Sequence, residues 1–180
     1  MSRYAAFLRG MNVGGHRLSN EDLRAHFAAL GFSDLATFRA SGNVVFAGEA
    51  AKPEDVRERI EEGLAELLGY EVPTFIRNAR EIKAIAAERP FTAKQLEASK
   101  GKLQVGLLSE KPSAQAKREL VAQASDEDKL VLTGRELYWL PSGGILESEL
   151  DMKGIERLLG AMTMRTKGTV EQLVGKHFTE

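Results

Sequence analysis

Cysteine is absent from all 180 residues. Disulfides, thiolate nucleophiles and thiolate-ligated zinc or iron–sulfur centres are therefore excluded, and the composition suits a reducing compartment. Histidine is scarce: His16, His26 and His177 lie far apart, and no two share the helical spacing of a metal pair, so neither a metal nor another cofactor is expected. Charge of one sign is also lacking. The formal net charge is -1, and the first fifty residues hold five arginines against four acids, so no basic half hides behind the average. That argues against a strongly basic nucleic-acid footprint and against an anionic membrane surface. No apolar run approaches the length of a membrane span, and Met1-Ser2-Arg3-Tyr4 has neither the basic head nor the apolar core of a signal peptide. A cytoplasmic protein without membrane contact is the expectation.

What is present is an ordinary globular composition, 43% apolar and 28% charged, enough to bury a core in one domain or two small ones. Tyr4–Arg9 reads as a buried strand, and Leu8–Arg17 (Leu-Arg-Gly-Met-Asn-Val-Gly-Gly-His-Arg) as a glycine-bearing strand-to-helix loop. Ser19-Asn20-Glu21-Asp22 has the Ser-x-x-acid pattern of a helix start; Leu23, Phe27 and Leu30 share one face, and Gly31 closes the helix. Two strands follow, Leu35–Ala40 and Val44–Phe46, joined by a tight Ser41-Gly42-Asn43 hairpin in which glycine and asparagine accept positive φ. A second helix begins at Pro53 with Glu54 and Asp55 in its first turn, carries Val56, Ile60, Leu64 and Leu67 as its stripe, and ends at Gly69. Val72–Arg77 is a fourth strand.

The stretch from Asn78 to Gly101 reads as a connector, helical over Ala79–Glu88 and broken by Arg89-Pro90-Phe91-Thr92. The pattern then recurs: strand Leu103–Leu108, helix Ser113–Ala124, strand Lys129–Leu132, turn Thr133-Gly134-Arg135, strand Glu136–Leu140, helix Leu150–Leu159. A short strand at Thr163–Arg165 and a helix at Val170–Val174 complete the chain. Ser41–Phe46 aligns with Thr133–Tyr138, and Ser33-Asp34 with Ser125-Asp126, a repeat of topology at low identity. The expected fold is α+β, a tandem pair of ferredoxin-like βαββαβ subdomains over 1–78 and 102–180, with a helical connector over 79–101.

The segments Leu8-Arg9-Gly10-Met11-Asn12-Val13-Gly14-Gly15 and Ala40-Ser41-Gly42-Asn43-Val44-Val45-Phe46, at this spacing, resemble the signature of a bacterial family known as domain of unknown function 1697. The resemblance covers nearly the whole chain. It implies two ferredoxin-like α+β subdomains and carries no established activity. One departure stands out. The family ends with a Thr-x-Arg-Asn-Trp-Asn-Thr-Val pattern, whereas Thr163-Met164-Arg165-Thr166-Lys167-Gly168-Thr169-Val170 lacks the tryptophan and both asparagines, so any site in that tail is altered here.

Gly10–Gly15 has the glycine spacing of a phosphate-binding P-loop, but His16 and Arg17 stand where a lysine and a hydroxyl residue are required, which excludes that nucleotide chemistry. The loop remains either an anion site or a tight connection, since glycine supplies positive φ in both. Arg9, Arg39, Arg77 and Arg165 fall at predicted strand ends. Converging, they would grip a phosphate or carboxylate; separately, they are salt-bridged or solvated. Asn12 and Asn43 read first as turn residues. Ser41 has no evident base and is not a nucleophile candidate. The acidic runs Glu58–Glu62 and Asp126–Asp128 read as solvated faces or turns. Tyr138-Trp139 approaches a base-stacking pair, but neighbouring strand residues face opposite ways, so at most one serves.

The leading expectation is a binding protein for a small anionic ligand, not an enzyme, with a cleft between the two halves. Its lining would be Arg9, Gly10, Asn12, Gly14, Gly15, Arg39, Ser41, Gly42, Asn43 and Arg165. A nucleic-acid-binding module, a small-molecule enzyme of unidentified reaction and an assembly protein are the alternatives. The sequence leaves the oligomeric state open.

Overall fold

The computed structural model describes residues 1–12, 15, 17–39 and 42–179. Among them are two four-stranded antiparallel sheets and seven α-helices, an α+β architecture. The chain divides into two compact units, Met1–Ala84 with Leu173–Glu180, and Ile85–Gln172.

In the first unit β1 (Ser2–Leu8), α1 (Asn20–Ala29), β2 (Ser33–Thr37), β3 (Asn43–Gly48), α2 (Pro53–Leu68) and β4 (Thr74–Asn78) follow in order, then α3 (Ala79–Ala87). The strand order is β2-β3-β1-β4. Tyr4, Ala6 and Leu8 of β1 alternate onto one face and pack with Val44 and Phe46, with Leu23 and Phe27 of α1 and with Val56, Ile60 and Leu64 of α2. Burying this set on one side fixes the register, because a one-residue slip would turn every core side chain to the other face. Ser19 caps α1 through a reciprocal capping box with Asp22, and Gly69 ends α2 at φ 79°. Leu67, expected in the α2 stripe, is exposed; the stripe continues through Leu68, the next i+4 position after Leu64.

The second unit contains α4 (Ala93–Ala98), β5 (Gln104–Leu108), α5 (Ala114–Val121), β6 (Asp128–Thr133), β7 (Glu136–Pro141), a 3-10 turn (Ile145–Glu147), α6 (Met152–Leu159) and β8 (Met162–Thr166); α7 (Lys167–His177) follows β8. The sheet order β6-β7-β5-β8 reproduces the first. Its core is Leu108, Leu137, Trp139, Met162, Leu130 and Leu132 against Ala116, Leu120, Ile155 and Leu159. Helix α4 was not expected. Thr92 and Gln95 close a reciprocal capping box there, a Thr-x-x-Gln signal present in the sequence.

The internal repeat holds at the level of topology, but its expected alignment is one residue out. Phe46 pairs with Tyr4 and Trp139 with Gln104, while Val45 pairs with Ala5 and Tyr138 with Val105. Phe46 therefore corresponds to Trp139, not Tyr138, and both lie in helix-facing cores. Trp139 and Tyr138 are both buried, so neither offers a stacking surface.

Candidate functional site

One end of the first sheet gathers three loops. Leu8 N donates to Gly42 O at 2.8 Å, and Arg9 N donates to Pro73 O at 3.0 Å. Tyr70 OH donates to Met11 O at 2.8 Å, and Leu18 N donates to Asn12 Oδ1 at 2.7 Å. Met11 and Leu18 are buried members of the helix-facing core and pin the loop from both sides. Gly10, Gly15 and Gly42 take φ of 68°, 83° and 74°. At Gly42 a Cβ would lie 3.2 Å from Leu8 Cβ, Leu8 O and Met11 Sδ, so only glycine combines that φ with that approach.

On this end Arg9 and Arg39 are exposed. Arg39 holds φ 59°, a left-handed conformation that costs a non-glycine residue about 1 kcal/mol or more. Its carbonyl accepts from Asn20 Nδ2 at 3.2 Å, and its guanidinium lies 5.6 Å from the Phe38 ring centre. Phe38 N donates to Asn43 O at 3.0 Å, and Asn43 opens β3. Asn43 does not face solvent. It is fully buried, with Nδ2 donating to Phe38 O at 2.8 Å. Asn12 is exposed but its carbonyl oxygen is committed to Leu18. The positive end of α1 is likewise occupied, by the Ser19–Asp22 box and first-turn Glu21 and Asp22. Gly14, Ser41 and His16 lie outside the described residues.

Arg77 and Arg165 each belong to the body of a sheet. Arg77 pairs with Ala5 within the first sheet, and Arg165 with Val105 in the second unit, so the two hold corresponding positions. Each lies on the sheet face away from the paired helices and donates Nη1 at 2.9 Å to the carbonyl of the residue before it, Ile76 or Met164. Arg165 Nη1 also reaches Thr163 Oγ1 at 2.8 Å, and burial lowers its pKa to about 10.

Lys167, at the start of α7, is 3% exposed; Nζ donates to Ala86 O at 2.9 Å and to Glu171 Oε1 at 2.8 Å. Thr166 Oγ1 accepts from Thr169 N at 3.2 Å and starts α7.

In the second unit a cavity of about 610 Å³ is lined by Glu127, Asp128, Glu147, Glu149 and Asp151, with no basic residue on its wall. It repels anions. Asp128 is not the solvated turn acid expected: Oδ1 accepts from Trp139 Nε1 and from Ser148 Oγ, each at 2.8 Å, and the residue is buried. Sequence reading missed it because both partners are distant along the chain. Among the described residues no group of three or more His, Asp or Glu is placed to hold a metal ion, and no helix is long and apolar enough to cross a membrane.

Two antiparallel α+β units of one topology, with a glycine loop pinned at one sheet end, define the class of protein. The chain belongs to the family described as protein of unknown function (DUF1697), which matches residues 1–138. That match stops short of the Thr163–Val170 tail. The chain is also similar to a solved structure, the conserved bacterial protein SP0830 from Streptococcus pneumoniae, at 20% identity, with 96% of each chain covered and a TM-score of 0.70. At that identity the likeness is one of fold. No curated protein matches the chain.

Proposed function

We propose that this is a cytoplasmic protein of two ferredoxin-like units in tandem, over 1–78 and 102–180 with the connector 79–101, that binds a small anionic ligand. Support for the ferredoxin-like reading is the β-α-β-β-α-β order with strand orders β2-β3-β1-β4 and β6-β7-β5-β8. The ligand site is the loop end of the first sheet, with Arg9, Arg39 and the backbone around Gly10, Gly15 and Gly42 as its elements. One observation carries this assignment. Arg39 is exposed and held in a left-handed conformation, and Leu8, the residue before Arg9, donates its N–H to the Gly42 carbonyl. Backbone strain at a non-glycine residue is retained where the surrounding structure over-determines it, and such positions cluster at ligand clamps. Guanidinium groups would supply the bidentate donors that a carboxylate or phosphate requires.

The reading is of binding without catalysis. Native mass spectrometry of gently purified protein should show a discrete added mass, and its 260/280 nm absorbance ratio should stay low. Arg9→Ala and Arg39→Ala proteins should fold and lose that mass. Retention of the ligand by both variants, or a raised absorbance ratio that nuclease treatment abolishes, refutes it.

A further inference from the structure

A second concentration of positive charge lies at the opposite end of the first sheet. Residues 2–4 at the start of β1, Ala51 after β3, and Asn78, Ala79 and Arg80 at the β4–α3 junction line an open cavity of about 330 Å³. Arg3 and Arg80 are its charged members. Tyr4 pairs with Asn78 across the β1–β4 ladder, and that pairing brings together two arginines far apart in sequence.

Neither arginine has a carboxylate partner among the described residues. The Arg3 guanidinium lies 5.8 Å from the Phe178 ring centre, and its Nε is buried with no hydrogen-bond acceptor. Arg80 is exposed on the first turn of α3. Glu81 Oε2 accepts from Asn78 N at 2.9 Å while Asn78 Oδ1 accepts from Glu81 N at 2.9 Å, a reciprocal capping box at the start of α3. Two like charges on one small cavity disfavour each other unless an anion sits between them, in a chain whose acids outnumber its bases, 26 to 25. The positive field reaches His177, whose pKa is lowered by burial first, then by Lys176 and Arg3.

We propose that the Arg3–Arg80 cavity is a binding site for the phosphate group of a small phosphomonoester. A dianionic phosphate offers three terminal oxygens, enough to accept from both guanidinium groups and from Ser2 Oγ at once. This site is distinct from the Arg9–Arg39 end and stands or falls separately.

The test is an amide-resolved NMR titration with inorganic phosphate, then with methyl phosphate and dimethyl phosphate, on wild type, Arg80→Gln and Arg9→Ala proteins. Arg80 makes no side-chain contact that folding requires among the described residues. Inorganic and methyl phosphate should shift the amides of Arg3, Asn78, Ala79 and Arg80, with a dissociation constant of about a millimolar, the range of a few unaided ionic contacts. Arg80→Gln should weaken binding about tenfold, the loss of one charge-assisted contact, and Arg9→Ala should leave it unchanged. Absence of shifts at these amides in wild type overturns the site, as does equal binding by Arg80→Gln. Dimethyl phosphate binding as tightly as methyl phosphate overturns the monoester assignment, because a diester carries a single charge and stands in for a nucleic-acid backbone.

Discussion

Truncating Lys167 to alanine removes a buried ammonium that ties the start of α7 to the end of α3. Its donation to Ala86 O is a charge-assisted hydrogen bond worth about 1.5 kcal/mol net. Ala86 O keeps a second donor, Arg89 Nη1 at 2.9 Å, so the carbonyl is not left orphaned. The Glu171 side chain is 45% exposed, and its share of the pair is discounted to about 0.5 kcal/mol. Losing the buried methylenes costs about 2 kcal/mol more, partly offset by side-chain freedom regained by the unfolded reference. Lys167→Ala should therefore destabilise by about 3 kcal/mol, and Lys167→Met, which keeps the apolar stem, by about half of that. For a chain of this size the alanine variant should lower the melting temperature by about 6–12 °C. Fluorescence of Trp139, the single tryptophan, reads the second unit directly during thermal or urea unfolding. A Lys167→Ala protein within about 0.5 kcal/mol of wild type refutes this account, as does Lys167→Met falling as far as alanine.

Other perturbations test other parts of the molecule. Gly42→Ala should cost about 2–3 kcal/mol in urea unfolding, from the left-handed φ of 74° plus the crowding against Leu8 and Met11; a change under about 0.5 kcal/mol would show that the turn relaxes freely. Asp128→Ala should cost about 3 kcal/mol, because Trp139 Nε1 is left buried without an acceptor, and should shift Trp139 emission; Asp128→Asn, which keeps an acceptor oxygen, should cost less than half as much. His177 has a lowered folded pKa, so the unfolded chain binds the proton more tightly. Its contribution is fully present above the unfolded value near pH 6.5 and is lost as pH falls through the lower folded value. Melting temperature should accordingly fall between pH 7 and pH 5, with a shallower fall in His177→Gln; identical slopes would exclude His177 as the titrating group.

Local signals in the sequence marked most element boundaries. Ser19, Pro53, Gly69, Ser113 and Gly160 start or end helices where the capping rules place them, because a cap is satisfied within one turn of chain. The family signature was legible for the same reason: the Gly10 and Gly42 turns depend on backbone conformations that few residues adopt. Of the candidate site, Arg9 and Arg39 are exposed residues of the first unit. Asn43 is buried, since a residue that looks like a turn becomes the first position of a buried strand once the β2–β3 register is set.

What tertiary structure alone decided is everything that depends on pairing between distant segments. The one-residue difference between the expected and actual repeat alignment is invisible at low identity. It is fixed only when β1 and β3, or β5 and β7, choose a register that buries Phe46 and Trp139 on the helix side. Non-local contacts likewise turn Asp128 from a surface acid into the acceptor for Trp139, close Lys167 over Ala86, and put Arg3 and Arg80 on the wall of one cavity. Composition and spacing state which side chains a chain carries. Their chemistry depends on what a fold places within hydrogen-bonding distance, and that distance is measured through space, not along the sequence.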